Sequence, residues 1–266
     1  MIPSSAPRHP YFAAGDPPRV LAHRGLVTAE AASAGVVDNS FAAVAEAHAV
    51  GLAYVESDCH LTADGVVVLF HDDDLARVTG DPRRIAEVRL HELEEVMSDH
   101  GGLITLEQAL EAFPDTRFNL DVKAEAAADP VGRLVAAQAH RVLLTSFSEE
   151  RRRRALDAAM TAGASVRPAT SPGSATVARL VAAVATGVAP VARRVLRGLD
   201  ALQIPERQGP VRVLTPRLLR IAHAVGVEVH VWTVNDRDDM MRLLEMGVDG
   251  LVTDRGDIAL ELVNGR

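Results

Sequence analysis

The sequence predicts an α/β fold: a single (β/α)₈ barrel of the TIM type, with a small hairpin arm after the second strand. Two observations carry this reading. Short β-like runs alternate with helix-like stretches along the chain, and repeated βα units imply parallel strands joined by right-handed crossovers. The length, 266 residues with no linker-like break, suits one closed barrel, for which roughly 250 residues are typical. A doubly wound open sheet is the alternative, but its G-x-G-x-x-G turn does not follow the first strand. Residues 1–18, proline-containing and without an apolar run, read as a flexible leader, and 19–266 as the barrel domain.

The elements follow in order. Residues 19–24 (RVLAHR) form a first strand, and 40–50 a helix that Ser40 can cap. Residues 54–61 form the second strand; after a turn at Ala63-Asp64-Gly65 the chain returns as a strand over 66–70. Helices over 90–97 and 106–112 lead to a strand at 117–123, a helix at 130–139 and a strand at 142–147. The second half repeats the rhythm: helix 149–162, a short strand 165–169, and a long Ala/Val-rich helical region to about 199. Strand 201–204, helix 216–225 with Gly226 as its stop, strand 227–234, helix 236–246 ended by Gly247, strand 250–253 and a terminal helix complete the pattern.

Composition narrows the function classes. A net charge of -8 argues against general nucleic-acid binding, which wants a basic face. Cys59 is the only cysteine, so no intrachain disulfide can form. The most apolar stretch, 175–192, is interrupted by Arg179, Gly187 and Pro190. It reads as an Ala-rich half-buried helix, with a membrane-surface or lid helix as the alternative, and no stable membrane insertion is expected. A soluble cytoplasmic protein is the default expectation; no oligomeric state is predicted. Of the 28 basic residues, Lys123 is the only lysine. A compact, movable ammonium differs from a rigid guanidinium fork only where a specific site needs it.

Functional groups of a (β/α)₈ barrel cluster at the C-terminal ends of the strands. Four such ends are rich in polar side chains: His23-Arg24-Gly25, Glu56-Ser57-Asp58, His71-Asp72 at the end of the arm, and Asp121-Val122-Lys123. Residues two apart share a face of a strand, so Glu56 and Asp58 project together, as do Asp121 and Lys123. Three carboxylates at one barrel mouth repel one another unless a cation sits among them. All-oxygen donors suit Mg²⁺ or Ca²⁺, and no zinc-type Cys or His spacing occurs. Beside such a cation, Lys123 can neutralise a phosphate oxygen and Arg24 can fork across two. His23 and His71 can supply a general base and a general acid. Together these parts suit phosphodiester cleavage. No phosphate-cradling P-loop is present, which argues against nucleotide-driven phosphoryl transfer.

At this point the sequence resembles the glycerophosphodiester phosphodiesterases. The resemblance rests on an ordered set: His23-Arg24-Gly25, Asp38-Asn39, Glu56-Ser57-Asp58, Asp64-Gly65, His71-Asp72, Thr79-Gly80, Thr105-Leu106-Glu107, Asp121-Val122-Lys123, Ser146-Phe147, the run from Val231 to Asn235, the run from Gly247 to Gly250, and Thr253-Asp254. It implies hydrolysis of a small glycerophosphodiester to sn-glycerol 3-phosphate and an alcohol, through a cyclic phosphate. It implies a divalent cation, Mg²⁺ or Ca²⁺, on Glu56, Asp58 and Asp121, with His23 and His71 as the acid/base pair. Arg24 and Lys123 would meet the phosphate, Phe147 and Trp232 would wall the substrate, and Asp38, Asn39 and Asp72 would support these groups from behind. Three features depart from the family pattern. Asp38 and Asp121 stand where Glu is usual, and the segment 26–38 is longer, a candidate lip over the mouth. Two other readings stay open: a related enzyme acting on lysophospholipid or sphingolipid head groups, and a non-catalytic phosphate-binding protein. Cys59 is expected to pack under helices. Among the other histidines His60, by its parity with Asp58, is the one expected to join the site if any does, and Arg151–Arg154 reads as a solvated helix face.

Overall fold

The computed structural model describes residues 8–265. Strand β1 (Arg19–His23) is followed by β2 (Tyr54–Leu61) and by β3 (Val67–Leu69), which pairs antiparallel with β2 as the expected arm. The chain continues with β4 (Arg117–Val122), β5 (Val142–Thr145), β6 (Ala169–Thr170) and β7 (Ala201–Ile204). A short hairpin, β8 (Arg207–Gln208) and β9 (Val211–Arg212), precedes β10 (Glu228–Val231) and β11 (Gly250–Thr253). The parallel strands run in the order β6-β5-β4-β2-β1-β11-β10-β7, a nearly closed eight-stranded barrel of the TIM type. Between β6 and β7 no ladder forms. The gap is bridged by Asp200 N–H donating to the Thr170 carbonyl and Gln203 N–H to Ser171 Oγ, both at 3.0 Å.

Local chemistry explains most elements. Ser40 caps the helix Phe41–Ala49 by accepting from Ala43 N–H at 3.1 Å, and Thr105 and Gln108 form a capping box on Leu106–Ala112. Asp236 caps Arg237–Met246, and Gly247, at φ 92°, ends it in the left-handed region that glycine tolerates.

The differences are also local. The strand expected over 165–169 forms at Ala169–Thr170, because Pro168 has no N–H to offer a ladder. The long Ala/Val region is two helices, Ser174–Ala185 and Ala189–Val195, divided by Gly187 at φ 84° and restarted with Pro190 in the first turn. The strand expected over 227–234 leaves the ladder after Val231. Helix Ala29–Ser33 and the β8–β9 hairpin carry too few residues to show a periodicity in the sequence.

Barrel closure separates two cores. One lies between the strands and the outer helices and includes Cys59, which is buried there as its parity predicted. The other fills the barrel interior with Leu21, Tyr54, Leu143, Ala169, Ala201 and Val252. Tyr11 and Phe12 belong to this inner core, and this corrects the reading of the leader. Residues 1–7 lie outside the described residues, but the following stretch is seated: Pro10–Phe12 forms a 3₁₀ turn, Tyr11 and Phe12 are buried, and His9 Nε2 donates to the Arg167 carbonyl at 2.6 Å. Two aromatic rings bury enough apolar surface to offset the ordering of a short segment, and the sequence gives them no periodic context to announce it.

Candidate active site

The strand register brings the expected residues to one end of the barrel. His23 on β1 is level with Glu56 on β2, and Glu56 with Asn119 on β4; Asp58 is level with Asp121 one step further along. His23, Arg24, Glu56, Asp58, His71, Asp121, Lys123, Phe147 and Trp232 all line one cavity of about 830 Å³. The turn after β1 is tight: Arg24 has φ 58° and Gly25 φ 86°. A Cβ on Gly25 would lie 2.6 Å from the Ala43 carbonyl carbon, so only glycine lets the helix Phe41–Ala49 approach. Asn39, at φ 58°, uses the left-handed region that asparagine tolerates.

The carboxylates are not equivalent. Asp58 is the best compensated: Lys123 Nζ lies 2.9 Å from Oδ1, Arg24 Nε 3.3 Å from Oδ2, and Asn39 Nδ2 donates to Oδ2 at 3.0 Å. Burial works against its charge, but Lys123, Arg24 and the Asn39 bond hold the carboxyl below its ordinary range. Lys123 Nζ also lies 2.7 Å from Asp121 Oδ2. Burial nonetheless raises Asp121, with the Asp58 charge adding to it and Lys123 opposing. Glu56 has no cation of its own; burial, then the charges of Asp58 and Asp121, push it to about 8. Lys123, disfavoured by burial, is raised well above an ordinary lysine by these two aspartates.

Buried acceptors remain. Glu56 Oε2, Asp121 Oδ1 and Asn119 Oδ1 have no hydrogen-bond partner among the described residues. Such groups are costly unless something donates to them or coordinates them, and a hard cation suits three oxygens of this kind. No set of three or more His, Cys, Asp or Glu side chains among the described residues is drawn together into a cation cage; the Lys123 ammonium sits between two of the three expected ligands.

His23 and His71 are each anchored through Nδ1. His23 Nδ1 is 2.6 Å from Asp254 Oδ1, and its Nε2 is 3.9 Å from Glu56 Oε2. Burial lowers its basicity, but the Asp254 bond and the Glu56 charge more than offset this and raise its pKa. His71 Nδ1 is 2.8 Å from Asp72 Oδ1. Asp72 also accepts from Arg77 Nε at 2.5 Å, Arg77 reaches Asp38 at 3.0 Å, and Asp38 accepts from Arg24 at 2.8 Å. Asp38 thus links Arg24 to the Arg77–Asp72 pair behind His71.

The opposite wall is apolar. Phe147 and Trp232 stack edge to face with centroids 6.1 Å apart, and Lys123 Nζ lies 5.4 Å from the Phe147 ring. Beyond them the cavity runs along Val177, Ala178, Val181, Ala182 and Ala185 on one face of helix Ser174–Ala185, with Val211 and Val213 also lining it.

A model of the Glycerophosphoryl diester phosphodiesterase family matches residues 23–258. The chain belongs to the glycerophosphoryl diester phosphodiesterase family. It is, accordingly, a phosphoric diester hydrolase. A probable glycerophosphodiester phosphodiesterase 2 of Mycobacterium tuberculosis is 38% identical over 249 residues, 92% of this chain and 90% of that protein. The crystal structure of a Thermotoga maritima glycerophosphodiester phosphodiesterase is 25% identical and superposes with a TM-score of 0.68, covering 93% of this chain and 97% of that one. A phosphodiesterase from Oleispira antarctica, solved in complex with the product sn-glycerol-3-phosphate, has the same fold with a TM-score of 0.69 at 22% identity, covering 93% and 97% of the two chains.

Within this family member several side chains at the site escape a reading by motif. The motifs alone give no site role to Asp254, Asn235, Arg77 or Arg151. Thr253-Asp254 and Asn235 do lie in the family's ordered set, which is the one signal that could have found them. Arg151 reaches the carbonyls of Val122 and Lys123, and Arg152 is buried against Glu149 and Thr170. The run Arg151–Arg154 is therefore not a solvated face throughout: the turn of the helix Glu149–Thr161 aims its first two arginines at the barrel. His60 does not line the cavity; its Nε2 donates to the His71 carbonyl at 3.2 Å and so fixes the backbone there. The segment 26–38 adds no cavity-lining residue, so it is no lip; it delivers Asp38 to Arg24 and Arg77.

Proposed function

We propose that this chain hydrolyses glycerophosphodiesters to sn-glycerol 3-phosphate and an alcohol, with His23 and His71 moving the protons. The observation that carries the reading is the pairing of two Nδ1-anchored histidines with a buried Glu56, Asp58, Asp121, Lys123 set in one cavity. His23 takes the proton of the glycerol 2-hydroxyl. The freed oxygen forms its bond to phosphorus as the bond to the alcohol breaks, and His71 protonates the departing oxygen. The cyclic phosphate is then opened by water: His71 takes a water proton and His23 returns a proton to the 2-oxygen. Phe147 and Trp232 exclude water from the apolar side, and Arg24 orients the diester from the polar side.

Glu56, Asp58 and Asp121 would hold a divalent cation, Mg²⁺ or Ca²⁺, and the unpartnered oxygens of Glu56 and Asp121 support that assignment. When bound, the cation neutralises charge developing on the phosphate oxygens. Asp38, Asn39 and Asp72 hold Arg24, Asp58 and His71 in place. The test is a panel of glycerophosphocholine, glycerophosphoethanolamine and glycerophosphoglycerol against Mg²⁺, Ca²⁺ and Mn²⁺, with release of glycerol 3-phosphate as the readout. Release that requires a cation and stops with EDTA is expected. A flat background across the panel sinks the proposal.

The apolar run along helix Ser174–Ala185 favours a wider substrate range that includes lysophospholipids, whose single chain would lie against Ala178 and Ala182. Ala182→Trp fills that run. It is expected to lower the ratio of kcat/KM for lysophosphatidylcholine over glycerophosphocholine by about 10-fold, the equivalent of about 1.4 kcal/mol. An unchanged ratio, or no lysophospholipid turnover by the parent protein, removes this second reading. Among the described residues no helix is long and apolar enough to cross a membrane.

A further inference from the structure

Asp254 stands at the C-terminal end of β11, 231 residues from the histidine it touches. One carboxylate oxygen meets His23 Nδ1 at 2.6 Å; the other accepts from Asn235 Nδ2 at 2.6 Å. Asn235 cannot turn its amide over. Its Oδ1 already accepts from Asp254 N–H at 2.9 Å and from Thr253 Oγ1 at 3.1 Å. Its NH₂ group must therefore face residue 254, and residue 254 must present an acceptor there. A carboxylate satisfies this with one oxygen and still offers the second to His23. Neutral imidazole has one N–H and one lone pair. A carboxylate at Nδ1 takes the N–H and leaves the lone pair on Nε2, the nitrogen on the Glu56 side.

We infer that Asp254, locked by Asn235, is the positioning residue that fixes the tautomer of His23 with its lone pair on Nε2. This deepens the proposed function, since it assumes that His23 Nε2 is the atom that takes the proton. Asp254 touches His23 and not the reacting atoms, and nothing in the motif reading gave it this part.

The isosteric change Asp254→Asn inverts the arrangement. Asn235 still demands an acceptor, so the new amide turns its oxygen toward Asn235 and its NH₂ toward His23. Nδ1 then accepts, and the proton moves to Nε2. Nitrogen-15 NMR of the histidine side chains at alkaline pH reads this directly, without substrate or cation. His23 in the parent protein is expected to be protonated on Nδ1, and in Asp254→Asn on Nε2, with the thermal midpoint little changed. Turnover of glycerophosphocholine should fall by about 10²-fold or more through kcat rather than KM. In a His23→Ala background the same change should cost nothing further, because Asp254 acts only through that ring. Nδ1-unprotonated His23 in the parent, or an undisturbed tautomer in the variant, overturns the inference. So does a further loss in the His23→Ala background. Because the tautomer is read without turnover, its result stands apart from whether the chain hydrolyses glycerophosphodiesters.

Discussion

His71→Ala is expected to lower kcat/KM for glycerophosphocholine by about 10²–10⁴-fold, yet to cost far less on the para-nitrophenyl ester of glycerol phosphate. The asymmetry follows from the assignment of roles. Choline leaves as a poor leaving group whose oxygen needs a proton as the bond breaks, whereas para-nitrophenolate leaves without one. On the proposed assignment His23→Ala removes the base for the 2-hydroxyl and should hurt both substrates alike. His71 is held by Asp72, which Arg77 pins in turn, and His23 is held by Asp254. Parallel measurements of the two variants on the two substrates decide it. Equal losses of His71→Ala on both would refute the acid role, and sparing of His23→Ala on the nitrophenyl ester would exchange the two assignments.

The second large effect lies at the other end of the barrel. Arg19 and Glu228 form a bidentate pair at 2.7 and 2.9 Å, and their side chains are 1% and 7% exposed. Arg19 also donates to Tyr54 Oη at 2.7 Å, and His230 Nε2 lies 3.1 Å from Glu228. Glu228→Gln leaves the Arg19 guanidinium buried without its counter-charge. The expected loss is about 3–5 kcal/mol of unfolding free energy, read by urea titration. Replacing both partners together, with Arg19→Met and Glu228→Leu, should cost much less, since neither charge is then stranded.

The pH dependence has a definite sign. Burial alone would raise Glu228, but the His230 hydrogen bond and Arg19 overcome it and hold the carboxyl near 2, against an ordinary 4.5. A depressed carboxyl contributes its stability fully above the unfolded value and loses it as pH falls through the folded one. The stability gap between the parent and Glu228→Gln should therefore be full above pH 4.5 and shrink as pH falls from 4.5 toward 2. A gap independent of pH over that window would contradict the ion-pair account.

Much of this molecule is written locally. The alternation of strands and helices, the arm after β2, the caps at Ser40 and Thr105 and the shared face of Glu56 and Asp58 all depend on residues within a few positions of one another. Period 2 in strands, period 3.6 in helices and turn chemistry suffice to read them. The ordered motifs then supplied the family, because their order along the chain is itself a sequence property.

Only tertiary structure decided which charges meet. Parity sets Lys123 on the face of Asp121, but only the register of β2 against β4 brings it to Asp58, where it sits between two aspartates. Asp254 reaches His23 because β11 closes the barrel beside β1. Arg19 finds Glu228, and Tyr11 and Phe12 find the barrel floor, for the same reason. These partners are distant in the chain, and no local periodicity couples them. The sequence by itself determined the barrel and the residue types at its mouth. Register and closure of the sheet determined the long-range pairing, and with it which carboxylate is compensated and that His23 is held by Asp254.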